Sequence, residues 1–194
     1  SPTGAVTTYA YSSTAPQVTA TVNGRWTRTY NDGLGRTVKV EAGTGGTVVS
    51  VVETEYGACA CSPLGKVKRV TRPYAPGGTV YWTEYTYDAL GRTVSVIQPG
   101  GAGTTLYEYV GNTVKVTDVA GKWKRMTMDG FGNLVTVEEP NPAGGASYFT
   151  YYTYSVFNQL TQVSMPRPTG TQVRTFVYNA AGQMTSKTEP ETGT

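Results

Sequence analysis

Histidine is absent from the chain of 194 residues, and cysteine occurs only twice, at Cys59 and Cys61. Without histidine there is no Ser-His-Asp or Cys-His catalysis, no histidine-ligated zinc and no imidazole switch near neutral pH. Two cysteines in one CxC cannot build a disulfide framework, so cysteine usage leaves the compartment open. Charge of one sign is scarce as well: 16 Lys and Arg stand against 13 Asp and Glu, a net of +3, too mild to make nucleic acid an expected partner. No apolar run approaches the roughly 18 residues that span a bilayer. The opening residues Ser1, Pro2, Thr3 and Gly4 carry neither a basic nor an apolar leader. Leu, Ile, Val and Phe together number 35, few enough to raise disorder, but 15 Tyr, 4 Phe and 3 Trp argue for a folded chain.

What is abundant favours strands. Thr, Val and Tyr dominate, and all three fit a half-buried pleated surface. Gly (24) and Pro (11) recur often enough that no window of a dozen residues keeps a helical apolar period. The sequence therefore predicts an all-β protein.

One four-residue pattern recurs along the chain: a small polar residue, two variable residues, then Gly or Asn. It occurs at Asp32–Gly35, Ser62–Gly65, Asp88–Gly91, Asp118–Gly121, Asp129–Gly132, Ser155–Asn158 and Asn179–Gly182, and Thr21–Gly24 fits it in part. The chemistry is that of a type I turn continued into a left-handed residue. The first side chain accepts local backbone hydrogen bonds, and the fourth position must tolerate positive φ, which Gly or Asn does at least cost. Such a turn closes a β-hairpin with a bulge. The flanks agree: Val94 and Val96 alternate with polar residues after Gly91, as do Val38 and Val40 after Gly35, and Val135 and Val137 after Gly132.

The fourth positions fall at 24, 35, 65, 91, 121, 132, 158 and 182, so the intervals are 11, 30, 26, 30, 11, 26 and 24. The chain reads as two four-turn blocks of one repeat domain, 1–98 and 99–194. Gly24, Arg25 and Trp26 match Gly121, Lys122 and Trp123, and Pro2, Pro99 and Pro190 mark successive phases. A segment that opens and closes at the same phase is expected to be a slice of a longer array.

At Tyr87-Asp88-Ala89-Leu90-Gly91-Arg92 the pattern resembles the YDxxGR core of the tyrosine-aspartate (YD) repeats of rearrangement-hot-spot (Rhs) proteins, with Asp32–Arg36 and Tyr178–Gly182 in the same series. The likeness extends over nearly the whole chain. It departs at Met128, which stands where Tyr87 stands, and at Gly57–Cys61, which reads as an insertion. The resemblance implies tandem antiparallel hairpins wound into a coiled sheet, a slice of a β-shell or β-solenoid. It also implies an extracellular or cell-surface setting in a large bacterial protein, and a wall that encloses or presents a cargo such as a toxin. The family's self-cleaving segment has no counterpart, since no Asp precedes Pro here. The expected partners are neighbouring repeats of the same parent chain, or other copies meeting through strand edges, besides a cargo or a glycan. No cofactor and no enzymatic activity are expected.

Few residues compete for a chemical role. Trp26 with Arg28, and Trp123 with Arg125, lie two apart and share a strand face, offering a platform for a sugar or a nucleic acid or, more plainly, packing repeated in both blocks. Cys59 and Cys61 supply half a tetrahedral metal site with no histidine to complete it; a local disulfide, a loop cap or free thiols remain open. Glu53 with Glu55, and Glu138 with Glu139, are paired carboxylates that read as solvated faces. The turn aspartates offer one carboxylate each, too few for Ca²⁺. The Tyr81, Tyr85, Tyr87 and Tyr151, Tyr152, Tyr154 stripes read as cross-strand ladders. The alternatives to a structural module are a carbohydrate-binding or adhesion repeat, and a fibre subunit that pairs through open edges.

Overall fold

A computed structural model describes residues 4–190; Pro2, the first of the phase-marking prolines, lies outside the described residues. The fold is all-β and antiparallel. Its compact units divide between Thr105 and Leu106. The first contains β1 (Thr7–Tyr11), β2 (Gln17–Val22), β3 (Arg25–Asn31), β4 (Thr37–Thr44), β5 (Thr47–Cys59), β6 (Ser62–Thr71), β7 (Trp82–Tyr87) and β8 (Thr93–Ile97), followed by one 3-10 turn at Pro99–Gly101. Each strand pairs with its predecessor, beginning with Thr7 opposite Val22 and ending with Glu84 opposite Ile97.

β9 (Thr104–Val110) crosses the division, and the second unit continues with β10 (Thr113–Thr117), β11 (Trp123–Met128), β12 (Leu134–Glu139), β13 (Tyr148–Tyr154), β14 (Leu160–Arg167), β15 (Gly170–Tyr178) and β16 (Met184–Thr188). They too pair in chain order, each antiparallel to the last.

Because every strand reverses the previous one, turns alternate between two edges of each unit. That alternation explains the spacing. Gly24 to Gly35, and Gly121 to Gly132, are separated by one strand and lie on opposite edges, whereas the steps from Gly132 to Asn158 and Gly182 each cross two strands and return to the same edge. The Asp118 turn therefore sits opposite the Asp129, Ser155 and Asn179 turns.

Six turns share one hydrogen-bond plan. At Asp88, Oδ1 accepts from the N–H of Leu90 (3.0 Å) and Arg92 (2.9 Å), and the backbone O accepts from Gly91 N (3.0 Å). Asp32, Asp118 and Asp129 repeat this, with Ser155 Oγ and Asn179 Oδ1 as substitutes for the carboxylate. The fourth residues are left-handed, Gly91 at φ 79° and Asn158 at φ 63°.

Two predicted turns take another form. Asn23 (φ 50°) and Gly24 (φ 75°) make a two-residue loop between paired Val22 and Arg25, both central residues being left-handed. That is the type I′ geometry favoured by Asn-Gly. Ser62 and Gly65 lie inside β6 rather than at a hairpin end. The reversal comes earlier, at Ala60–Cys61, between paired Cys59 and Ser62. The next pair is Gly57 with Lys66, so Pro63, Leu64 and Gly65 bulge opposite Ala58. Pro63 has no N–H for the ladder, and Gly65 keeps a left-handed φ of 69°.

Among the described residues the buried apolar side chains are Val51, at 4% exposure, and Pro99. The faces are half-buried, so cohesion comes from ladders and cross-strand neighbours rather than from a closed core.

Candidate functional site

Four tyrosines share one kind of partner, a backbone carbonyl. Tyr56 Oη donates to Thr37 O (3.1 Å), Tyr87 to Val67 O (2.8 Å), Tyr154 to Leu134 O (3.0 Å) and Tyr178 to Leu160 O (2.9 Å). Every acceptor lies two residues past Gly35, Gly65, Gly132 or Asn158, on the strand leaving the preceding position of the series. The tyrosine before one turn thus ties down the exit of the one before it. Burial pushes the phenols of Tyr87 and Tyr154 up, so they stay protonated donors.

At three of these positions the residue after the fourth reaches forward in return. The Arg36 guanidinium lies 4.2 Å above the Tyr56 ring and donates to Leu64 O. Lys66 Nζ lies 5.1 Å from the Tyr87 ring centre and donates to Gly91 O at 2.8 Å. Asn133 Nδ2 donates to Asn158 Oδ1. Sequence reading found the turns and Tyr87, Tyr154 and Tyr178, but not Tyr56, and missed the pairing; a tyrosine recurring 20 to 22 residues after the preceding fourth position was the available signal.

The tryptophan platforms are occupied by their own neighbours. Arg28 stacks 5.0 Å from the Trp26 ring centre and Arg125 5.4 Å from that of Trp123. Trp26 Nε1 donates to Gly45 O at 2.8 Å, and its ring covers Gly43 across the ladder. Each arginine faces a glutamate in register, Arg28 opposite Glu41 and Arg125 opposite Glu138, and both form ion pairs.

Glu41, which sequence reading did not single out, is the buried carboxylate of the first unit at 7% exposure. It accepts from Lys39 Nζ (2.7 Å) and Tyr30 Oη (2.8 Å), with Arg28 Nη1 at 3.7 Å. The Lys39 hydrogen bond, chiefly, holds its carboxyl below the usual range, with Tyr30 and Arg28 adding to it against the opposing pull of burial. A carboxylate saturated by donors is a poor proton acceptor.

The paired glutamates separate. Glu55 bonds Arg69 Nη2 at 2.6 Å, and that guanidinium lies 4.2 Å above Trp82. Glu53 holds Thr71 Oγ1 through its backbone N–H at 2.8 Å. Glu138 pairs with Arg125 and Glu139 with Lys124 Nζ at 2.8 Å. Of the tyrosine stripes, Tyr151 stacks on Phe149 at 6.0 Å, and Tyr81 stands 46% exposed. Cys59 and Cys61 are not free thiols: they are joined in a disulfide at the β5–β6 reversal.

No protein-family model and no curated protein sequence matches the chain. The fold and the ties between turns define a class: consecutive antiparallel hairpins linked turn to turn.

Proposed function

We propose that this chain is a non-catalytic scaffold segment of a YD-repeat protein, contributing to a wall that encloses or presents a cargo outside the cell. The observation that carries the reading is the recurrence of the tyrosine-to-carbonyl tie at Tyr56, Tyr87, Tyr154 and Tyr178. Residues spent on joining one repeat to the next serve an array. The Cys59–Cys61 disulfide suits an oxidising setting. A glycan platform has less support, because Arg28 and Arg125 already stack on the tryptophans.

Electron microscopy of the chain expressed with its flanking coding sequence tests the proposal. A hollow particle is the expected result; a fibre or an isolated ribbon overturns enclosure. Saturable glycan binding abolished by Trp26→Ala or Trp123→Ala would replace the scaffold reading with adhesion.

A further inference from the structure

The Cys59–Cys61 disulfide contributes little that the fold lacks. It bridges one intervening residue at a reversal already closed by the pairing of Cys59 with Ser62. A bond across so short a loop removes little freedom from the unfolded chain. Its surroundings, by contrast, are organised. Cys59 lines a groove of about 630 Å³ together with Lys66, Lys68, Glu84, Tyr85 and Tyr87. Cys61 lies behind, packed with the Lys66 stem against Gly91: a Cβ on Gly91 would stand 2.9 Å from Cys61 Sγ and 3.2 Å from Lys66 Cε. The Lys66 ammonium is fixed there by Gly91 O at 2.8 Å. The two sulfurs are therefore unequal: Cys59 lines the groove, whereas Cys61 packs beside the Lys66 stem at Gly91.

The geometry points to a thiol–disulfide exchange site in which an external dithiol enters the groove and reduces the Cys59–Cys61 bond. One thiolate of the dithiol attacks Cys59 Sγ, forming a mixed disulfide while Cys61 departs as a thiolate beside Lys66. The second thiolate of the reagent then attacks its own partner sulfur, closing the reagent's disulfide and releasing Cys59 as a thiolate. Two protons complete the protein thiols, so the protein gains two electrons and the dithiol loses them. A nearby ammonium favours the departing thiolate, and a better leaving group speeds exchange. With only two cysteines in the chain there is no second disulfide to accept the pair, so the product is the Cys59 and Cys61 dithiol.

The probe is dithiothreitol applied to the folded chain, with alkylation and mass spectrometry reporting free thiols. Complete reduction is expected, with the strand circular dichroism and thermal midpoint retained. Lys66→Gln keeps a donor for Gly91 O but removes the charge, and should slow reduction by about threefold or more. Reduced glutathione, a monothiol, locates the attacked sulfur: trapped by acid and mapped by mass spectrometry, the mixed disulfide should carry glutathione on Cys59 rather than on Cys61. Reduction only after denaturant unfolds the chain, loss of strand signal on reduction, an unchanged rate in Lys66→Gln, or glutathione mainly on Cys61 would each overturn the site.

Discussion

The two units build their turns on one backbone plan and hang different chemistry from it. In the first, Arg36 and Arg92 pair with their turn aspartates at 2.6 and 2.7 Å, and Arg36 and Lys66 reach over a tyrosine to the next position. In the second, neutral groups replace them at three of the four turns: Asn133 Nδ2 donates to Asp129 Oδ2 at 3.0 Å, Ser155 Oγ to Gln159 Oε1 at 3.3 Å, and Asn179 Nδ2 to Gln183 Oε1 at 3.0 Å. Yet the tyrosine tie persists in both, at Tyr87 and at Tyr154. The turn therefore depends on a first-position oxygen and a left-handed fourth residue. The arginine is a variable addition, as expected of exposed ion pairs that contribute little.

The comparison breaks most visibly where backbone meets ring. Gly43 lies under Trp26, and a Cβ there would collide with Thr47 O and Trp26 Cζ2. Gly43→Ala should cost about 3 kcal/mol or more, because a backbone atom cannot step aside as a flexible side chain can. Denaturant unfolding followed by Trp fluorescence measures it. A near-neutral result would mean that the ring covers the glycine loosely.

Next comes a pair of glycines with the same dihedral and different neighbours. Gly91 (φ 79°) packs against Cys61 and Lys66, while a Cβ on Gly121 (φ 76°) would meet nothing within 4 Å. A left-handed β-branched residue alone should cost about 2 kcal/mol. Gly121→Val should therefore cost about that much and Gly91→Val about 3 kcal/mol, the excess being crowding. Equal losses would show that strain alone decides.

Acid should separate the units as well. In the first, Arg36 hydrogen bonding lowers the Asp32 carboxyl, and Lys39 and Arg69 do the same for Glu41 and Glu55. At Asp88 burial opposes ionisation, but hydrogen bonds from Arg92 outweigh it. In the second, Asp129 is lowered, chiefly by Asn133. A group lowered by folding contributes stability above its unfolded pKa, about 3.9 for Asp and 4.3 for Glu, and loses it as pH falls through the folded value. Hydrogen exchange should show the first unit losing protection more steeply below about pH 4. Glu41→Gln should flatten its acid limb. Parallel loss in both units would contradict the assignment.

These contrasts mark what the sequence could carry. The six turns at Asp32, Asp88, Asp118, Asp129, Ser155 and Asn179 were legible because their hydrogen bonds close within four residues. Ser62–Gly65 satisfied the same local rule and failed, since the reversal at Ala60–Cys61 had already turned the chain. Glu41 was illegible for the opposite reason: its burial arises from Arg28 and Tyr30 on the neighbouring strand, and such register lies beyond any local pattern. The groove beside Cys59 is likewise a product of strands brought together, though the CxC itself was plain.

The smallest effect belongs to Asn158. Its left-handed φ of 63° costs Asn more than it would cost Gly, so on backbone grounds Asn158→Gly should stabilise by about 0.5 kcal/mol. The side chain, however, accepts from Asn133 Nδ2, tying the Ser155 turn to the Asp129 turn. Losing an exposed hydrogen bond costs about 0.5 kcal/mol, the low end of the range for such bonds. The two terms cancel, and the substitution should leave stability unchanged within error. Adding Asn133→Ala removes the donor as well, so Asn158→Gly in that background should become stabilising. The double-mutant cycle isolates the tie between turns from the strain within one. If Asn158→Gly behaves identically in both backgrounds, the amide arm of the second unit does not link its turns, and the tyrosine hydroxyl alone carries the connection.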